Sequence, residues 1–267
     1  MPENSYRTIE KLLASTNPEE IRQGLKLAKI EISRIGTSEA RPLFEMVSTI
    51  FHIDPLDRPD LVPILEEAVS LVAGLGKWII PVLVEQLDAG DLKAQMAVAQ
   101  ALGRIGDEAI EPLIAAYESS HEVGRRSFVL YALGKVKSPS VVRAVHLALE
   151  AAQSSDLELR DTATRAIGKF AESITPSTLT EDVRRGLVET LRKNLADPNP
   201  GIRSKAVRSL GKLAKHDHLT PEEREKLRST CLLILGKDEN FAWDHAFVVR
   251  KEAEEALHYV GEEGLNQ

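Results

Sequence analysis

His216 and His218 flank Asp217 in the stretch KHDHLTPEE, and two imidazoles beside a carboxylate are donor types that hold a zinc ion. The stretch reads as a loop, and no third ligand cluster accompanies it, so no metal centre is expected. Cys231 is the single cysteine, in the apolar run STCLLILG, where a thiol serves as a small core residue rather than a nucleophile. No glycine-rich phosphate loop, dinucleotide fingerprint or G-x-S-x-G elbow occurs. ALGRIG and VAGLG pair glycines, but between helical runs rather than after a strand. Trp78 in GKWIIP reads as core or turn packing. Phe241, Trp243 and Phe247 gather beside Asp244 and His245 in FAWDHAF, and read as an aromatic plug at the end of the chain's last helical unit. These residues supply no catalytic constellation and no cofactor site, which points to a non-enzymatic chain.

The basic residues follow a stricter order. Gln95, Arg126, Arg160, Arg203 and Arg250 each stand eight residues before Gly103, Gly134, Gly168, Gly211 and His258 respectively. Glu122, Asp156 and Asn199 precede three of these arginines by four residues, a spacing that puts both side chains on one helix face. A column of this kind is the mark of an internal repeat, and repeats of 30 to 50 residues indicate stacked supersecondary units.

The elements that carry the column are helical hairpins. Aligned on SRIG, AGLG and GRIG, and then on YALGKV, RAIGKF and RSLGKL, the turn positions fall at 36, 76, 106, 137, 171, 214 and 261, about seven units. Met96, Val98, Ala99, Ala101, Leu102 and Ile105 form one broad face in the helix before Gly106, and Ile110, Leu113, Ile114 and Tyr117 recur at helical spacing after it. Glycine inside a helix costs about 1 kcal/mol relative to alanine. Gly36, Gly76 and Gly106 are placed to end first helices in the left-handed conformation, whereas Gly103 is better explained by the close approach of another helix. Pro42, Pro81 and Pro112 fall early in second helices, where a missing N–H is tolerated. Asn17, Thr180 and Thr220 are the expected N-caps, and an extra helix is expected near Tyr6 to Ala14.

With DLELRDTATRAIGKF (156–170) and NPGIRSKAVRSLGKL (199–213) in view, the chain resembles HEAT-repeat proteins, of the short-repeat kind found in the bilin-lyase (PBS lyase) HEAT-like group. The resemblance covers most of residues 17 to 261 and is strongest from 90 to 215. It implies an all-α fold, a right-handed α-solenoid of about seven hairpins, with second helices on the concave face and the repeated arginine in a structural ladder between repeats. The expected organisation is one repeat domain over 1–267: a helical cap (1–16), core repeats (17–215) and a longer C-terminal repeat and cap (216–267). A HEAT-repeat iron hydroxylase carries several His-Glu pairs, and this chain has only His121-Glu122.

Charge supplies the functional clue. The net charge is −7, which argues against wholesale nucleic-acid binding, but residues 121–218 hold 17 Lys+Arg against 11 Asp+Glu, whereas 1–120 hold 11 against 19 and 219–267 hold 6 against 11. Within the basic middle, EDVRRGLVETLRKNL leaves Arg184, Arg185, Arg192 and Lys193 on its polar side, and SVVRAVHLALE adds Arg143. These five are the expected partner-binding residues of a scaffold or adaptor that holds a protein with an acidic surface in its groove. Two alternatives stay open: a nucleic-acid-binding module of the DNA glycosylase-like kind using the same basic repeats, and a bilin-lyase-like maturation factor. The 4% aromatic content disfavours base stacking. With no apolar stretch of membrane-spanning length and no secretory signal pattern at the start, a cytoplasmic location is expected.

Overall fold

The computed structural model describes residues 2–88, 90–237 and 243–261. The extra N-terminal helix is α1 (Pro2–Leu13). It is followed by helix pairs α2 (Pro18–Ile35) and α3 (Arg41–Val47), α4 (Val62–Ala73) and α5 (Ile79–Gln86), and α6 (Leu92–Ile105) and α7 (Asp107–Ser119). Three more pairs are α8 (Val123–Leu133) and α9 (Val145–Ala151), α10 (Leu157–Ala171) and α11 (Glu181–Asn194), and α12 (Pro200–Lys215) and α13 (Pro221–Ile234). Helix α14 (Phe247–Leu257) opens the seventh unit. Among the described residues the only β-pairing is an isolated bridge between Leu235 and Trp243. The chain divides into two compact units, Met1–Ala116 and Tyr117–Gln267.

The turn glycines do what their spacing implies. Gly36, Gly76 and Gly106 have φ of +91°, +86° and +80°, a region closed to most side chains, and the Gly36 and Gly106 amides donate to Ile32 and Leu102 carbonyls at 2.9 and 3.2 Å. Pro42 starts α3 as expected, but Pro112 lies inside α7, which begins directly after Gly106. The longer first steps of the repeat are absorbed by 3-10 turns at Ser48–His52 and Pro59–Leu61.

The caps are also local. Asn17 accepts from the Glu19 amide at 2.9 Å, Thr180 from Val183 at 3.4 Å, and Thr220 with Glu223 completes a reciprocal capping box. Each hairpin then buries a stripe of Ala, Val, Leu and Ile. In α6 these are Ala94, Ala97, Val98, Ala101 and Leu102, and in α7 Ile110, Leu113, Ile114 and Tyr117. Met96, expected on that apolar face, is exposed instead.

Glycines at the first-helix marker allow helices to touch. A Cβ at Gly168 in α10 would stand 2.8 Å from Ser209 Cβ and 2.9 Å from Ser209 Cα in α12, and one at Gly211 would stand 3.2 Å from Ala256 Cβ in α14. In the second unit, then, first helices α10, α12 and α14 pack in series at near-backbone distance.

Candidate partner-binding surface

The arginine column is a ladder, and it explains which cations are left over. Arg160 on α10 donates Nε to Asp197 Oδ2 at 2.7 Å, across to the loop before α12, while its Nη1 reaches its own Ser154 and Ser155 carbonyls. Arg203 on α12 repeats the arrangement one unit later. Its Nε and Nη2 hold Asp244 at 2.7 and 2.9 Å, and its Nη1 reaches the Asp197 and Pro198 carbonyls. Arg250 on α14 donates to the Asp244 carbonyl at 2.7 Å. All three arginines brace their own entry loop, and Arg160 and Arg203 also grip the acid of the next unit, Arg203 in a bidentate way that a lysine does not reproduce. Arg126 differs: it pairs with Glu150 and lies 4.0 Å over the Tyr117 ring. The residues four before these arginines are caps rather than ion-pair partners, with Asp156 accepting from Leu159 N and Asn199 from Gly201 N.

Five cations were candidates for partner contact, and the structure separates them. Arg184 lies on the buried flank of α11, four residues before Val188 and seven before Leu191, both buried. Its side chain is 13% exposed, held by Glu181 at 2.7 Å and by Glu223 of α13 at 2.6 Å, and it also donates to the His218 carbonyl. These acids hold its guanidinium firmly protonated, so Arg184 ties α11 to α13 and is not on the open polar side. The other α11 cations are outward. Arg185 is 53% exposed beside Asp182, Lys193 is exposed, and Arg192 is half-buried near Glu222. Arg143 is exposed too, but SVVRAVHLALE enters as a 3-10 turn (Pro139–Ala144), so Arg143 lies in that turn ahead of α9 and not on a regular helix.

The remaining chemistry-bearing residues are structural. His218 is buried and its Nε2 contacts the Ala171 carbonyl at 3.1 Å; burial pushes its imidazole toward the neutral form. Asp217 pairs with Arg224 at 2.8 Å. Cys231 is buried, which pushes its thiol up to about 12, far from a nucleophile's range. Trp78 packs edge-on against Phe44. The aromatic plug does not form a core: Trp243 is 52% and Phe247 69% exposed, with Arg250 4.5 Å over the Trp243 ring, while Phe241 lies outside the described residues. A groove of about 930 Å³ runs between α2 and α4 in the first unit, flanked by Lys26 and Lys29 on one side and Glu66 and Glu67 on the other.

Sequence reasoning missed the most concentrated charge cluster. Glu172, at the end of α10, receives Lys137 at 2.8 Å, Lys169 at 3.0 Å and Lys212 at 2.7 Å. Burial alone raises a carboxyl, but the three ammonium groups outweigh it and hold Glu172 at about 2. The same burial lowers Lys212, so part of the gain on the acid is lost on the base. A depressed carboxyl stabilises the fold above its unfolded value near 4.5 and loses that contribution as pH falls toward about 2. Glu172→Gln is expected to cost about 2–3 kcal/mol at neutral pH and to flatten the acid limb of stability between those two values, read by urea unfolding across pH. The Gly-Lys pairs at 168–169 and 211–212 were the available signal for two of the three lysines; Lys137 falls outside that pattern.

The sequence pattern of HEAT repeats matches residues 80–168, and a single HEAT repeat matches residues 187–217. No curated protein sequence matches the chain. Among solved structures, the karyopherin Kap121p bound to the SUMO protease Ulp1p superposes with a TM-score of 0.64 at 12% identity, over 98% of this chain and 29% of that one. The CpcE–CpcF complex of phycocyanin lyase from Nostoc sp. gives 0.52 at 20% identity, over 67% of this chain and 98% of that one. An engineered protein gives 0.50 at 18% identity, over 96% of both chains. At these identities the likeness is one of fold, and the fold is that of α-solenoids. No helix among the described residues is long and apolar enough to cross a membrane. Repeat signature, ladder and fold agree: the chain carries HEAT repeats, at residues 80–168 and 187–217, in an α-solenoid fold.

Proposed function

We propose that this chain is a non-enzymatic scaffold that binds a partner protein bearing an acidic surface, through Arg143, Arg185, Arg192 and Lys193. The observation that carries the reading is the division of labour among its cations. Arg160, Arg184 and Arg203 are consumed in contacts between units, whereas the outer face of α11 keeps Arg185 and Lys193 in solvent. Arg184 belongs to the support of that face: fixing α11 against α13 holds the other cations in register. Among the matched α-solenoids, Kap121p is bound to Ulp1p in one structure and to Nup53p in another.

The test compares the full chain with a variant carrying Arg143→Glu, Arg185→Glu, Arg192→Glu and Lys193→Glu, used as bait in its native cell extract at low and moderate salt. Thermal unfolding must first show that the variant is folded. A stoichiometric protein partner that the variant loses, and that weakens as salt rises, is the expected result. A partner retained by both baits places binding elsewhere and removes these residues from the site. Nucleic acid recovered alone and lost in the variant replaces the scaffold reading with the backbone-binding one, whose salt dependence is steeper.

A further inference from the structure

The lysines around Glu172 do more than neutralise it. Lys137, Lys212, Lys215, His216 and Tyr259 line a cavity of about 440 Å³ with Glu172 in its wall, formed where α10, α12 and α14 end. Lys215 has its ammonium 5.2 Å over the Tyr259 ring and makes no ion pair among the described residues. Counting Lys169 behind them, four lysines face one carboxylate. Both Glu172 oxygens are already occupied, Oε1 by Lys169 and Lys212 and Oε2 by Lys137. An ammonium has three donors, so Lys137, Lys212 and Lys215 keep N–H groups that Glu172 does not use.

Helix ends account for part of the surplus. The carbonyl ends of α10 and α12 contribute up to about half a negative charge each, and Arg224, itself paired with Asp217, donates to the Ala214 carbonyl at the α12 end and to the Tyr259 carbonyl beyond α14. About two positive charges then stay uncompensated around the cavity. That is the charge of a phosphomonoester, which carries about −1.5 to −2 near neutral pH with three acceptor oxygens. A phosphodiester carries one charge and offers fewer free oxygens. The cavity volume is within the range of small-ligand pockets.

We propose that this cavity binds a phosphomonoester group, with Lys137, Lys212 and Lys215 as its ligands and Tyr259 as one wall. None of these residues belongs to the α11 face, so the site stands independently of the partner reading above. Lys212 supports it further, because burial disfavours its charged form and an arriving dianion would favour it.

The experiment titrates the full chain calorimetrically with inorganic phosphate, holding ionic strength constant with chloride. The informative variant is Lys137→Gln with Lys215→Gln: both side chains face solvent, and Glu172 retains Lys169 and Lys212, so the fold survives. Saturable phosphate binding that weakens at least tenfold in this variant, and is unchanged by Lys193→Gln, is the expected result. The peptide Gly-Asp-phosphoserine-Asp-Gly then identifies the source. Affinity tenfold above inorganic phosphate assigns the group to a phosphorylated protein, and affinity no higher assigns it to a free phosphate ester. Phosphate heats equal to those of chloride, or binding indifferent to the double variant, overturn the proposal. So does a DNA duplex that outcompetes phosphate with the same lysine dependence.

Discussion

Gly168→Val is expected to destabilise the second unit by about 3–5 kcal/mol, read as a lowered midpoint in urea unfolding. The reason is geometric. A side chain at 168 meets Ser209 at its Cα and Cβ, 2.9 and 2.8 Å away, so no rotamer change relieves the contact and α10 must move off α12. Moving it also breaks the bond from Ser209 Oγ to the Thr164 carbonyl, 2.9 Å in the interior. Gly168→Ala is the milder form, because alanine regains about 1 kcal/mol of helix propensity. Pairing it with Ser209→Gly reopens the crossing and should recover most of the loss. If the pair shows no rescue, close approach is the wrong account of this glycine. Gly106→Ala provides the contrast. Nothing lies within 4 Å of its added Cβ, so its cost comes from the backbone alone, φ +80° with ψ −133°, and amounts to about 1–3 kcal/mol.

Arg203→Met is expected to cost about 3 kcal/mol, since it leaves Asp244 partly buried and unpaired while freeing the Asp197 and Pro198 carbonyls. Asp244→Asn removes the charge from the other side of the rung. The double variant should fall short of the summed losses by about 2 kcal/mol, the coupling expected of a shared charge-assisted pair. Additive losses would reduce the rung to two unrelated contacts. The pH dependence carries a sign of its own. Arg203 holds the Asp244 carboxyl below the usual range, so the rung stabilises the fold above the unfolded carboxyl value and fades as pH falls through the folded one. Asp244→Asn should therefore flatten the acid limb. Amide exchange should quicken first in α14, which depends on this rung and on the Arg208–Glu252 pair for its attachment.

These two variants show why part of the molecule was legible in its sequence. The ladder appeared as a spacing, eight residues before a glycine, but its partners came only from the structure: Asp197, six before Arg203, and Asp244, six before Arg250. Spacing was misleading where pairing was assumed from it. Asp156 and Asn199 stand four before an arginine because they are N-caps, and a cap faces its helix's free amides rather than the turn above. The α11 cations were read from a polar side that looked continuous, and Arg184 falls on its buried edge because Glu223, in another helix, meets it there.

What the sequence determined by itself is whatever depends on neighbours within a few residues: helix starts at Asn17, Thr180 and Thr220, turns at Gly36, Gly76 and Gly106, the hairpin count, and the repeat that makes the fold recognisable. Backbone dihedrals and capping bonds are set locally, so local letters suffice. Only the tertiary structure decided which charges remain free. Lys137, Lys169 and Lys212 come from three successive units, and only stacking brings their ammonium groups onto one carboxylate. Electrostatic balance is a property of distances in space, and residues some 35 to 45 positions apart acquire those distances only when the repeats close against one another.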